Sequence, residues 1–135
     1  MEPEYAAAMR EHVAQLAEEL AELQRLAHQE PALPALLYRA AERNLQLLTE
    51  ACIGVAKQAL KARGLTIPGD ARQAFSKLAA LDADHSGVPW NKVIGLRNAL
   101  VHDYLNMGPQ IVTGVVREGQ YERLLTFVDE QLAGA

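Results

Sequence analysis

Val13, Leu16, Leu20, Leu23 and Ala27 follow one another at spacings of three or four residues, with Glu18, Glu19, Glu22 and Arg25 set between them. At about 3.6 residues per helical turn this spacing gathers the apolar side chains into one narrow stripe, which predicts an amphipathic helix over residues 4 to 28. Pro31 and Pro34 then interrupt the pattern, and Pro34 fits the first turn of a second helix, where its missing N–H costs nothing. That helix is expected to run to about Arg63, with Gly64 as its C-terminal cap and Ile67-Pro68-Gly69 as a turn. Asp70 reads as the N-cap of a short third helix carrying Ala71, Ala74, Phe75, Leu78 and Leu81. Beyond a polar loop from Asp82 to Gly87, a fourth helix is expected from Pro89 or Trp90 to about Tyr104. Gly108-Pro109 opens a fifth, Gln110 to about Glu118, and Gly119 separates it from a last one, Tyr121 to Leu132.

Composition agrees with helices throughout. Ala, Leu, Glu, Gln and Arg dominate, and aromatic residues make up only 5% of the chain, a balance that favours helix over sheet. The reading is an all-α fold: an antiparallel helical bundle of five to six helices in one domain spanning residues 1–135. A chain of 135 residues is long enough to bury roughly two-thirds of its unfolded surface. Thirteen basic against seventeen acidic side chains leave a net charge of −4, which argues against nonspecific coating of nucleic acid but leaves room for a small basic site. With one cysteine, Cys52, no internal disulfide forms and a reducing compartment is implied. The acidic start, Met1 to Tyr5, is unlike a signal peptide, and no apolar run approaches the roughly 18 residues of a membrane span. The expected location is the cytoplasm.

Several polar constellations have ordinary readings. Asp82-x-Asp84-x-Ser86-Gly87 matches the first half of a calcium-binding loop, but the twelfth place is Val93 rather than a bidentate glutamate. The segment therefore reads as a helix–helix connection, with His85 solvated and no metal expected. His12 and His28 lack partners at ligand spacing and read as surface residues. Cys52, between Ala51 and Ile53, reads as a small core residue rather than a nucleophile. No glycine-rich phosphate loop is present.

The fourth helix is different. From Arg97 to Tyr104 it places an arginine, an asparagine, a histidine, an aspartate and a tyrosine among apolar residues. Asn98 lies one turn below His102, and Arg97 lies one turn below Val101 with Tyr104 beyond. Arg97 and His102 are about 140° apart around an ideal helix, so a single copy does not converge both on one phosphate. A second copy across a twofold axis would complete such a site, which predicts a homodimer. Guanidinium would orient a phosphodiester and imidazole, titrating near neutrality, would move a proton. The plainer alternative is an Arg/His pair on a capped or salt-bridged surface.

Arg97-Asn98-Ala99-Leu100-Val101-His102-Asp103-Tyr104 resembles the R-x4-H-x-Y signature of HepT-like toxins in the HEPN superfamily. Gly95-Leu96 before it, Ile111-Val112 after it, and Glu42 to Gln46 and Glu50 to Ile53 upstream extend the resemblance from about Tyr38 to Val116. It implies a dimeric HEPN bundle with two motifs in one cleft and a metal-independent endoribonuclease activity that needs no cofactor. By position, Arg97 would bind the scissile phosphate, and His102 would be the general acid or base in attack by the neighbouring 2′-hydroxyl. Asn98 and Asp103 would support the site. Tyr104 would be the residue to which a partner antitoxin, an MntA-type minimal nucleotidyltransferase, attaches AMP. The chain departs from many relatives at Gly54 and Lys57-Gln58, where polar residues are common; a mid-helix glycine there points to close helix packing or a dimer contact. The resemblance also leaves open a noncatalytic HEPN module that binds nucleotide or RNA, or that serves as dimerisation partner of a nucleotidyltransferase.

Overall fold

The computed structural model describes residues 1–102 and 107–134. Among these, all regular structure is helical, in six helices: α1 (Pro3–Gln29), α2 (Ala35–Ala62), α3 (Ala71–Ala80), α4 (Trp90–His102), α5 (Pro109–Arg117) and α6 (Glu122–Ala133). The expected all-α architecture holds. No described helix is long and apolar enough to cross a membrane.

The helix ends follow from identifiable residues. Pro3 occupies the first turn of α1, a place that wastes no donor. Pro34, expected inside the first turn of α2, instead stands just outside it as the N-cap, its carbonyl accepting the Tyr38 N–H at 2.8 Å. The end of α2 is closed by Gly64, whose φ of +74° is open to glycine without strain. Its N–H reaches the Lys61 carbonyl at 2.9 Å, and the Leu65 N–H reaches the Leu60 carbonyl at 3.1 Å. Those two bonds make a Schellman motif that satisfies carbonyls the helix leaves open. Asp70 caps α3 as expected, its side chain accepting the Arg72 N–H at 2.8 Å. Leu81, read above as carried by α3, stands just past its end as the C-cap and is exposed.

The long helix α2 is the hub and touches each of the other five. It can do so because its buried residues cover a broad face along its length: Leu45, Leu48, Cys52, Val55, Ala56, Ala59 and Leu60 are all sealed from solvent. Small residues among them let neighbours approach closely. Gly54 faces α1, and a β-carbon there would stand 3.3 Å from the Tyr5 hydroxyl. Within the chain this glycine therefore serves close helix packing. The α1 stripe read from the sequence, Val13, Leu16, Leu20, Leu23 and Ala27, is buried throughout. Each such leucine contributes about 1.5–3 kcal/mol by leaving water.

Two devices fix the helices that matter most for function. Trp90 at the start of α4 stacks on Phe75 of α3 and meets Phe127 of α6 edge on. Arg117 at the end of α5 reaches over the end of α1, donating from Nε to the Ala27 carbonyl at 2.8 Å and from Nη2 to the Glu30 carbonyl at 3.1 Å. These contacts tie the start of α4 to α3 and α6 and the end of α5 to α1.

Candidate functional site

The fourth helix enters the fold through a compact polar loop. Asp84 accepts from the Ser86 N–H at 3.0 Å, from the Ser86 hydroxyl at 2.6 Å and from the Trp90 indole N–H at 2.7 Å. Both carboxylate oxygens are thus engaged in turning the chain into α4, the connecting role read from the sequence. Among the described residues no three His, Cys, Asp or Glu side chains gather as a metal would require. His85, expected to be merely solvated, is in fact tied down. Its ring lies 3.0 Å from Asp82 through Nε2 and 3.0 Å from Glu130 of α6 through Nδ1, while its backbone N–H donates to Glu130 at 2.8 Å. Hydrogen bonding to Asp82, with the charges of Asp82 and Glu130, raises its pKa above the ordinary histidine value.

Along α4, Ile94 and Leu100 are buried against the core. Arg97 lies midway between them in sequence, three residues from each, and so stays near the inward face rather than in free solvent. Its side chain is 25% exposed, and its Nη1 stands 3.4 Å from Oε1 of Glu50 on α2. The Arg97 Nε is buried and has no hydrogen-bond acceptor among the described residues. Arg97 lines a groove of about 580 Å³ formed by α2, α4, α5 and the start of α6. Leu45, Val93, Leu96, Leu100, Ile111 and Val115 supply apolar walls, while Lys92 and Arg123 add positive charge and Glu118 and Glu122 negative charge. With Glu50 beside Arg97, this face carries three cations and three carboxylates, in a protein whose net charge is −4.

His102 is elsewhere. It is exposed in the last turn of α4. It is not part of the groove that Arg97 lines, and among the described residues no hydrogen bond or ion pair links the two. One chain groups Arg97 with Lys92 and Arg123 at the groove and with Glu50 beside it, and not with His102. Asn98, one turn before His102, is half-buried. Asp103 and Tyr104 lie outside the described residues.

Of the remaining candidates, Cys52 is fully buried, and burial followed by the nearby Asp84 charge pushes its thiol pKa up, which keeps it protonated and inert. His12 is exposed. His28 is exposed too, but its Nε2 lies 2.7 Å from the Arg117 carbonyl. The sequence reading includes Glu50 only within the Glu50 to Ile53 resemblance, not as a site residue, and does not single out Lys92 or Arg123. Glu50 carried a usable signal, being an acidic residue between Leu47-Leu48-Thr49 and Ala51-Cys52-Ile53; Lys92 and Arg123 look like any solvated cation until the fold brings α4 and α6 to one groove.

Chemically, a partly buried guanidinium with an unmet Nε donor is suited to a monoanionic phosphodiester, which accepts several N–H bonds at once. An exposed imidazole on the same helix is suited to proton transfer.

Comparison with known proteins gives three similarities. The family model described as "Ribonuclease HepT-like" matches residues 9–130. The mRNA nuclease HepT of Shewanella oneidensis is 36% identical over 88 residues, a stretch covering 64% of this chain and 65% of that protein. The chain thus matches just under two-thirds of that relative's length. A chain from the crystal structure of a toxin–antitoxin with AMP-PNP superposes with a TM-score of 0.68 at 25% identity, covering 91% of this chain and 96% of that one.

Proposed function

The chain belongs to the HepT-like ribonuclease family, and from that premise we propose that it is the toxin of a toxin–antitoxin pair, acting as a metal-independent endoribonuclease. The observation that carries the proposal is the placement of Arg97: partly buried at a groove, with an unmet Nε donor, on the same helix as an exposed His102. The names of two similar proteins, an mRNA nuclease and a toxin–antitoxin, support the same reading.

In this reading Arg97 binds the scissile phosphodiester and stabilises the charge that builds on its oxygens as the 2′-hydroxyl attacks. His102 moves the proton, as base toward the 2′-hydroxyl or as acid toward the departing 5′-oxygen. The P–O5′ bond breaks, leaving a 2′,3′-cyclic phosphate and a 5′-hydroxyl, with no water consumed and no metal needed to balance the step. Because one chain holds Arg97 and His102 in separate surroundings, the working unit is a homodimer in which an arginine from one protomer serves a histidine from the other. Asn98 and Asp103 support the site by hydrogen bonding. The partner is an MntA-type nucleotidyltransferase antitoxin that attaches AMP to Tyr104, where a bulky anion beside the cleft repels RNA phosphates.

The direct test is cleavage of RNA by the purified protein in EDTA, with product ends identified. Wild type should give cyclic phosphate ends, and Arg97→Ala and His102→Ala should each abolish them. Cleavage that persists in both variants overturns the assignment, and RNA binding without any cleavage assigns a noncatalytic module instead.

A further inference from the structure

Glu50 projects from α2 toward the arginine of the proposed site, and its geometry is that of a loose counter-ion. The 3.4 Å separation from Nη1 exceeds the roughly 2.7–2.9 Å of a charge-assisted hydrogen bond. The carboxylate side chain is 45% exposed while its partner is only 25% exposed, so the acid is free to return to water and the guanidinium is not. Among the described residues the guanidinium makes no hydrogen bond that commits its donors, and its Nε is buried with no acceptor. A pair built for stability would look different: bidentate, short, and with every donor met. What is present is a cation partly withdrawn from solvent, answered among the described residues by one easily displaced anion, at a groove that also carries Lys92, Arg123, Glu118 and Glu122.

Resting on the reading of Arg97 as the phosphate-binding residue, we propose that Glu50 sets the affinity of that site: it occupies Arg97 in the free protein and must yield to the phosphodiester of the RNA. Two monoanions compete for one guanidinium. Once the phosphate is bound, the carboxylate still stands one side-chain length away and repels it, so Glu50 weakens RNA binding in proportion to its charge rather than its size. The acid thereby keeps the resting site from retaining stray phosphate-bearing molecules that lack the additional contacts of an RNA strand.

The test is a double-mutant cycle on binding, read by fluorescence anisotropy with a short 2′-O-methyl RNA that cannot be cleaved. Wild type, Glu50→Gln, Arg97→Ala and the double variant are compared at one salt concentration, with helix content checked by circular dichroism. Gln keeps the shape and the acceptor oxygen of Glu50 and removes only its charge. Arg97→Ala should weaken binding, and Glu50→Gln should tighten it by about threefold or more beyond whatever gain it gives in the Arg97→Ala background. Looser binding by Glu50→Gln, or an equal gain in both backgrounds, overturns the role assigned to Glu50 and leaves the Arg97 reading intact. If Arg97→Ala itself leaves binding unchanged, the phosphate-binding reading fails, and the role of Glu50 fails with it.

Discussion

The indole of Trp90 lies flat on the ring of Phe75, with centroids 3.6 Å apart and planes 5° from parallel. Phe127 closes the cluster edge on, 4.7 Å from the indole and 5.6 Å from Phe75. Since Trp90 is the first residue of α4 and its N–H is held by Asp84, the stack fixes the helix that carries Arg97 and His102 at its point of entry. The aromatic contacts thus link the core of α3 and α6 to the position of the proposed site.

Removing the Phe75 ring should therefore cost more than an average core truncation. Phe75→Ala empties a fully buried position and is expected to lower stability by about 3–5 kcal/mol, with Phe75→Leu losing much less. Urea unfolding followed by fluorescence measures both, because Trp90 is the single tryptophan and reports on its own stacking partner. A loss for Phe75→Ala no greater than that for Phe75→Leu would show that the stack does not hold α4.

Arg117 supports the end of α1 through the backbone. Its Nε and Nη2 donate to the carbonyls of Ala27 and Glu30, while its own carbonyl accepts from Gln24 Nε2 at 3.3 Å. The carbonyls at a helix end have no partner within the helix, so this guanidinium replaces water for that of Ala27 and for that of the cap residue Glu30. Arg117→Ala should cost about 1–3 kcal/mol, and Arg117→Lys should recover only part, because an ammonium lacks the fork. Hydrogen exchange will separate this from global weakening: residues near Gln29 should lose protection before those of α2 do. Uniform loss across the molecule contradicts the local role.

The contrast between Arg117 and Arg97 shows what the sequence made legible. The helices were readable because apolar spacing and caps act locally: the α1 stripe, Gly64 and Asp70 behave as their neighbours dictate. The Arg97–His102 spacing was readable too, as a separation of about 140° around an ideal helix. Partners distant in the chain were not. Arg117 and His28 both look like solvated surface residues until α5 packs on α1, and Glu50 meets Arg97 across 47 positions. His85 acquires Glu130 only because α6 returns to the α3–α4 loop. Pro34 shows the limit even locally, since cap and first turn differ by one residue and proline tolerates both.

The His85 clasp should give stability a pH dependence of definite sign. Asp82 and Glu130 raise its folded pKa above the unfolded value near 6.5. A raised pKa means the protonated form is favoured by folding, so the contribution is fully present below the unfolded pKa and fades as pH rises through the folded one. Wild type should therefore exceed His85→Gln in Tm by the most in mildly acidic buffer, with the gap closing toward mildly alkaline pH. The ring is largely exposed, so the gap should be small and should shrink with added salt. A gap that stays constant across this range, or widens with rising pH, contradicts the assignment.

The separate placement of Arg97 and His102 in one chain leads to complementation between two inactive proteins. If each site takes its arginine from one protomer and its histidine from the other, Arg97→Ala and His102→Ala homodimers contain no intact site. A heterodimer of the two contains one intact site and one doubly defective site. Unfolding and refolding an equal mixture should form heterodimers at about half of all dimers, so cleavage should return to about a quarter of the wild-type rate per chain. Refolding each variant alone should return nothing, which controls for renaturation itself. If the mixture stays inactive while sizing and mass analysis show that heterodimers have formed, each site draws both residues from one protomer, and the composite cleft is wrong.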